Sequence, residues 1–397
     1  MKYLRYFVEL PGQFETRLQN WLMKGEVSGW SGKRILRLQF SNLSDREQLF
    51  LREQLLSKGG VVEFSTWPES RQVLHVQIGL DVFKELVEEW QKNANLSPQL
   101  LVECQDLINL QQPQKYELDC RGKKLLLHKR THIMGILNVT PDSFYDGGRY
   151  HHAEQAVEHG LRLEAEGADV IDVGGESTRP GAQSISVQEE LDRVLPVIEA
   201  LVKNVTVPIS IDTYKAPVAE AALRAGVHMV NDISGFHFDL ELPEIVAKYQ
   251  VPVVLMHIKG TPREMQRDPR YLDLLGEVID YLKEGITRAH RAGVSEEQIV
   301  IDPGIGFGKR LHDNYVLLQR LPELQLLRKP ILVGPSRKSF IGKVVNRPPE
   351  ERLWGTAAAV TVAILNGADI IRVHDVAAIK QVAQIADVFV GKNSDWS

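Results

Sequence analysis

Between residues 133 and 373 the chain repeats one pattern. A short apolar run gives way to a polar or glycine-rich break, and a longer segment with helical spacing comes next. The strand-like runs fall at 133–137, 169–174, 208–211, 228–231, 251–256, 298–301, 330–333 and 369–373. Helical segments lie between them, for example 151–167, 188–203, 217–225 and 271–292. Short β runs alternating with amphipathic helices imply a parallel sheet. Eight strands alternating with eight helices over about 260 residues fit an α/β fold of the (β/α)8 TIM type, with an open doubly wound sheet as the alternative.

The chemistry lies where each run stops. The first ends at Asn138. The second leads into a glycine-hinged loop with Thr178 and Arg179. The third ends in Asp212-Thr213, the fourth in Asn231-Asp232 and the fifth in Met256-His257. The sixth gives Asp302 and a glycine-rich stretch through Phe307 to Lys309. The seventh gives Gly334-Pro-Ser336-Arg337-Lys338, and the last Arg372-Val-His374-Asp375. Any one of these is readable as a turn or a helix cap. A barrel, however, collects all the strand ends on one face, where α/β barrels place their working groups. Asp212, Asn231 and Asp302 supply acceptors and one amide donor, a set suited to a flat heterocycle with an amidine-like edge. Lys338 can donate to a ring carbonyl. Met256 and Phe307 are placed to pack on ring faces, or simply to fill the core. Arg372 and His374 come after the eighth strand, where barrels often hold phosphate, and Arg179 is a second, mobile cation. A planar heterocycle bearing an anionic, phosphate-like group is the expected ligand.

Two look-alikes are set aside. Gly304-Ile-Gly-Phe-Gly-Lys309 misses the Walker pattern, with Pro303 where the first Gly belongs and Arg310 where Ser or Thr belongs. It is expected to be a flexible loop over the site. The doublet His151-His152 starts a helix with no carboxylate at metal-ligand spacing, and is expected to be a surface feature.

The first ~115 residues read as a separate α+β unit without a catalytic motif. Residues 35–40 and 73–78 are its strands. A helix starts at Ser44 with Glu47 three residues on, and another begins after Asp81 with Val82, Phe83, Leu86, Val87 and Trp90 on one face. Residues 94–114 read as a loose segment or linker. A hairpin about Arg121-Gly122 within 116–129 is placed to cap the barrel's bottom. The expected division is 1–115, 116–390 for the barrel, and a tail at 391–397.

Composition narrows the class. Net charge is -5, which argues against nucleic acid as a partner. No run of 18 or more apolar residues is present, and the N-terminus lacks a signal-peptide core, so no membrane is expected. Two cysteines, Cys104 and Cys120, suit a reducing cytoplasm and neither sits in a metal pattern.

The motifs together resemble a known family. Met134 to Phe144, Gly175 to Gly181, Ser210 to Thr213, Asn231 to Gly235, Asp302 to Lys309, Ser336 to Phe340 and Arg372 to Asp375 are similar, in order, to those of dihydropteroate synthases. The likeness runs from about Tyr116 to Val390. It implies a pterin-binding barrel that joins 6-hydroxymethyl-7,8-dihydropterin diphosphate to 4-aminobenzoate and releases diphosphate in folate synthesis. It implies Mg²⁺ beside Asn138, and pterin-diphosphate contacts from Thr178, Asp212, Asn231, Asp302 and Lys338. Arg372 and His374 become diphosphate anchors, and Arg179, Ser336 and Arg337 fall on the aminobenzoate side. Catalysis would rest on Asn138, Asp212, Asp302, Lys338, Arg372 and His374. A homodimer through outer helices is implied as well. One departure is Tyr145 in the first loop, where a smaller residue, often Ser, is expected.

Two rival readings differ in class. One is a methyltetrahydrofolate methyltransferase on the same kind of barrel, disfavoured by Ser336-Arg-Lys338 and Thr178-Arg179. The other is a non-enzymatic pterin-binding or scaffolding protein, disfavoured because both loops carry their full complement of residues.

Overall fold

The structure, a computed structural model, describes residues 4–7, 35–40, 43–66, 72–92, 95–109, 114–140 and 149–392. The chain divides into two compact units, Met1–Gln114 with Pro322–Leu326, and Lys115–Leu321 with Leu327–Ser397.

The smaller unit is built on β1 (Leu4–Phe7), β2 (Ile35–Phe40), β3 (Val61–Thr66) and β4 (Gln72–Gly79). They form an antiparallel sheet in the order β1-β2-β4-β3. Helices α1 (Asp45–Ser57) and α2 (Leu80–Trp90) belong to it. α1 begins with the capping box read from sequence: the Ser44 hydroxyl accepts from Glu47 N, and the Glu47 carboxylate accepts from Ser44 N at 2.9 Å. The alternation in β4 buries Leu74, Val76 and Ile78, and the helical period in α2 buries Phe83, Leu86, Val87 and Trp90 in the same core. The stretch expected to be loose is partly helical. α3 spans Pro98–Asn109 and puts Leu100, Cys104 and Leu107, at helical spacing, into that core. Its Gln and Asn residues masked the period, whereas Pro98 is a favourable first helical residue.

The larger unit opens with a hairpin, β5 (Glu117–Cys120) and β6 (Lys123–Leu126). Arg121 and Gly122 both have positive φ, 53° and 87°, the requirement of a tight I′-type turn. Then come β7 (His132–Asn138), β8 (Val170–Gly174), β9 (Ile209–Asp212), β10 (Met229–Asp232), β11 (Val253–Met256), β12 (Ile299–Asp302), β13 (Leu332–Val333) and β14 (Ile370–Val373). All pair in parallel in the order β12-β11-β10-β9-β8-β7-β14-β13. A parallel bridge between Ile301 and Ile331 joins the two ends, so the sheet closes into a barrel rather than staying open. The hairpin's Leu118, Cys120, Leu125 and Leu127 pack against Met134, Val170, Met229, Val254, Val300, Leu332 and Ile370, near the strand starts, and stopper the barrel's bottom.

Nine α-helices surround it among the described residues, one more than expected. They are α4 (Arg149–Ala165), α5 (Val187–Asn204), α6 (Ala216–Arg224), α7 (Leu242–Tyr249), α8 (Leu274–Ala292), α9 (Leu311–Gln319), α10 (Ser339–Val345), α11 (Leu353–Leu365) and α12 (Val376–Phe389). The additional one arises because the segment after β13 breaks into α10 and α11. Asn346 turns left-handed at φ 51°, and Pro348-Pro349 prevents the helix from continuing. Residues 141–148, which hold the first loop's Tyr145, lie outside the described residues, as do the side chains of His151 and His152 on α4.

Candidate active site

Strand register gathers the polar ends into one layer. Asn138 pairs with Gly174, Gly174 with Asp212 and Asp212 with Asn231, while Met256 lies beside Asp302. Arg372 starts deeper, level with Met134, and its long side chain rises from there.

The centre of the layer is a buried ion-pair network. Arg372 Nε donates to Asp172 Oδ2 at 2.6 Å, and its NH2 donates to Asp212 Oδ2 at 2.7 Å. The Asn231 amide donates to the same Asp172 oxygen at 2.9 Å. Asp172, wholly buried in β8, stands outside the set of residues that the sequence points to. The available signal was a carboxylate inside an apolar strand, which requires a partner. Its second oxygen, Oδ1, has no hydrogen-bond partner among the described residues. Burial drives the Asp212 carboxyl well above the usual carboxylate range; Arg372 opposes this and Asp172 reinforces it. Asp232, next to Asn231, builds a turn: its oxygens accept from Ser234 N, Ser234 Oγ and Phe236 N.

Asp302 and Lys338 form the second group. Asp302 is 5% exposed, and its Oδ1 accepts from Gly304 N at 2.7 Å. Its pKa is raised by burial, with Lys338 opposing. The Lys338 ammonium donates to the Ile305 carbonyl and stands 4.6 Å above the Phe307 ring. Burial pulls it down to about 8, against the attraction of Asp302.

The glycine-rich stretch after β12 is not the flexible loop expected from its composition. Gly306 N donates to Asn314 Oδ1 at 2.6 Å, Tyr271 OH to Gly308 O at 2.6 Å, and Lys309 Nζ to Phe307 O at 2.9 Å. Gly304, Gly306 and Gly308 have φ of 67°, 86° and 61°. A side chain at Gly304 would place its Cβ 1.9 Å from the His257 carbonyl. Here glycine serves a fixed left-handed path and close packing, not mobility. Lys309 is itself buried and lies 2.8 Å from His257 Nδ1; burial and Lys309 both hold that imidazole neutral.

On the β13–β14 side, Ser336 Oγ lies 2.9 Å from His374 Nδ1 and accepts from His374 N at 3.2 Å. With the ring's proton on Nε2, the hydroxyl donates to Nδ1 while still accepting from His374 N. Burial, with Arg372 and Arg337 nearby, lowers the His374 pKa to about 3, so it is a neutral donor. Arg337, at φ 55°, is clamped to Asp375 through Nε at 2.9 Å. In the loop after β8, Thr178 is half-buried and Arg179 exposed. Asn138 is half-buried at the end of β7, and Met256 is buried at the end of β11.

The sequence-predicted residues on strand ends are thus brought to one face. Two of them are more committed than expected: Arg372 to carboxylates and Arg337 to Asp375. The arrangement can hold N–H donors on buried carboxylates, donate through Lys338, and present neutral and cationic donors to an anion.

The residues 134–374 match the model of the pterin binding enzyme family. The chain is similar to the dihydropteroate synthase of Synechocystis sp., with 51% identity over 260 residues, 65% of this chain and 90% of the relative. Among solved structures it is similar to Xanthomonas albilineans dihydropteroate synthase with 4-aminobenzoic acid, at a TM-score of 0.66 and 46% identity, covering 70% of this chain and 99% of that one. The same enzyme in complex with 7,8-dihydropteroate matches at a TM-score of 0.63 and 44% identity, over 69% of this chain and 98% of that one.

Proposed function

The chain belongs to the dihydropteroate synthase family of pterin binding enzymes, and from that premise we propose how its barrel mouth performs the family's reaction. The reaction joins 6-hydroxymethyl-7,8-dihydropterin diphosphate to 4-aminobenzoate and releases diphosphate. The observation that carries the assignment of roles is the convergence of Asp302, Asn231, Lys338 and the Arg372-linked carboxylates on one layer of strand ends.

In this reading Asp302 and Asp212 accept from the amidine-like edge of the pterin, with Asn231 beside them. The unpaired Asp172 oxygen adds an acceptor that an N–H of the ligand can satisfy. Lys338 donates to the ring carbonyl. Met256 and Phe307 flank the ring. The aryl amine attacks the exocyclic methylene as its C–O bond to diphosphate breaks, and the amine then loses a proton. Negative charge grows on the departing diphosphate, where the neutral Nε2–H of His374 and the guanidinium of Arg372 stabilise it. Carboxylates held against the ring favour positive charge developing on the methylene. Ser336 seats His374, Thr178 meets the pterin diphosphate from the second loop, and Arg179 and Arg337 bound the side from which 4-aminobenzoate approaches.

Mg²⁺ fits beside Asn138. Among the described residues no cluster of three His, Cys, Asp or Glu side chains could cage an ion. Magnesium typically keeps waters and takes phosphate oxygens, so one amide oxygen next to a diphosphate suits it. When bound it would neutralise leaving-group charge.

A homodimer is the second element of the proposal. Trp354 on α11 is 82% exposed and Phe389 on α12 is 77% exposed, and Ile385 and Val388 extend the apolar surface. A second copy would cover it. Two buried free thiols, Cys104 and Cys120, support a cytoplasmic location. No helix among the described residues is long and apolar enough to cross a membrane.

The test is diphosphate release with and without 4-aminobenzoate, together with calorimetric titration of pterin diphosphate into Asp302→Ala. Release that depends on the amine, and lost binding in the variant, are expected. Unchanged binding would sink the assignment of Asp302.

A further inference from the structure

The loop after β8 is closed at its neck by a single ammonium. Lys215 Nζ donates to Glu176 Oε2 at 2.5 Å, to Glu190 Oε2 at 2.6 Å and to the Ile185 carbonyl at 2.7 Å. A lysine has three N–H groups, so all are used. Glu176 opens the loop. Ile185 ends it, directly before Ser186, which caps α5. Everything between them, Thr178 and Arg179 included, projects beyond this clasp. The root is fixed further: Tyr214 OH donates to the other Glu176 oxygen at 3.0 Å, and Arg193 NH1 to Gly175 O at 2.7 Å. The tip is tied more lightly, Gly181 N donating to Pro262 O at 3.2 Å.

The clasp is buried. Side-chain exposure is 12% for Lys215, 7% for Glu176 and 1% for Glu190. Without the ammonium, two buried carboxylates would face each other across the space it left, and like charges in such a setting repel. Lys215 stands on the turn after β9, three residues beyond Asp212. It therefore ties the second loop to the neighbouring strand end as well as closing it.

We propose that Lys215 is a positioning residue for the reaction: it fixes the neck of the second loop and so sets Thr178 and Arg179 over the site. The proposal rests on the reading that Arg179 bounds the 4-aminobenzoate side. A lysine that only stabilised the fold would move both substrates' affinities and the melting point together. A positioning lysine separates them, because the pterin contacts at Asp302, Asn231, Asp212 and Lys338 stand outside the clasped loop, which carries only Thr178 of that set beside Arg179.

The experiment uses the full chain with Lys215→Met, and Lys215→Arg as the conservative variant. In Lys215→Met, amide exchange across residues 177–184 should accelerate, and the KM for 4-aminobenzoate should rise about tenfold or more while the Kd for pterin diphosphate, which loses only the Thr178 contact, rises no more than about threefold. Lys215→Arg should recover most of the loss, since a guanidinium can bridge two carboxylates. Unchanged exchange and KM in a folded Lys215→Met protein overturn the proposal, and so does an equal loss of both affinities. If that variant does not fold, Glu176→Gln, which keeps the side chain's shape, carries the same comparison. Arg179→Ala tests the underlying reading separately. If its KM for 4-aminobenzoate is unchanged, that reading fails, while the exchange of the loop still decides the clasp.

Discussion

Arg372 reaches from the last barrel strand to Asp212, three strands away, with its NH2 2.7 Å from the Asp212 carboxylate while its Nε holds Asp172. One guanidinium thus pairs with two buried acids of the site before any ligand arrives. In the proposed reading the residue is a structural cross-brace as well as a cation for diphosphate.

Replacing it should therefore cost stability and not only affinity. Arg372→Ala leaves Asp172 and Asp212 buried without their cation, and such a loss typically amounts to about 3–5 kcal/mol. Urea unfolding of the variant should show it, alongside weakened pterin diphosphate binding. Arg372→Lys should not restore stability fully, because an ammonium lacks the planar fork that reaches both acids. A wild-type unfolding midpoint in Arg372→Ala would refute the cross-brace.

The ammonium of Lys338 gives the site a basic limit. Its folded pKa is lowered from 10.5 to about 8. As pH rises through about 8 the group loses its proton, so pterin diphosphate binding should weaken. Its effect on stability has the opposite sign. The folded state binds fewer protons than the unfolded one between pH 8 and 10.5, so Lys338's contribution to stability grows as pH rises across that window and is lost as pH falls through about 8. Titration calorimetry from neutral to basic pH should show the decline in affinity, and Lys338→Met should remove it together with most binding. An affinity flat across that range would count against Lys338 as the donor.

Gly304→Ala should be severe. The residue sits at φ 67°, and the new Cβ would lie 1.9 Å from the His257 carbonyl. The left-handed backbone alone costs about 1–3 kcal/mol, and relief of the clash must displace either β11's end or the loop that carries Phe307. A lowered melting temperature and loss of pterin binding are expected. Normal binding at normal stability would show that the loop yields more easily than its hydrogen bonds suggest.

Trp354→Asp combined with Phe389→Asp should separate the proposed dimer. Sedimentation equilibrium is the measurement, with the single-copy mass as the expected result for the variant and twice that mass for the wild type. A wild-type protein that sediments as one copy excludes a dimer through this face.

The barrel was legible because its strands are apolar runs of the right length and its functional groups sit where those runs stop. Asn138, Asp212, Asn231, Asp302 and Lys338 could be named for that reason. Asp172 could not, because it hides inside such a run and its partner Arg372 is distant in sequence and adjacent only across the closed sheet. The stretch Gly304–Lys309 misled for a related reason. Glycines in sequence suggest freedom, but the contacts that fix them come from Asn314, Tyr271 and His257, which only the fold brings near. In the smaller unit, α3 was obscured by polar residues on its exposed side, although Leu100, Cys104 and Leu107 keep a helical period. The Lys215 clasp joins Glu176, Ile185 and Glu190, segments that no local pattern links.

The hairpin beneath the barrel has a consequence for traffic. With Leu118, Cys120, Leu125 and Leu127 filling the bottom, that end of the barrel is shut, and the candidate site lies on the other face, where the strands end. Two reactants must enter and two products leave through it. In the proposed reading the ring seated at Asp302 and Lys338 lies innermost, so the partner that approaches from the Arg179 side stands in its path. On that reading arrival and departure would be queued: the deeper guest would come first, and the outer one would have to move before the next could enter.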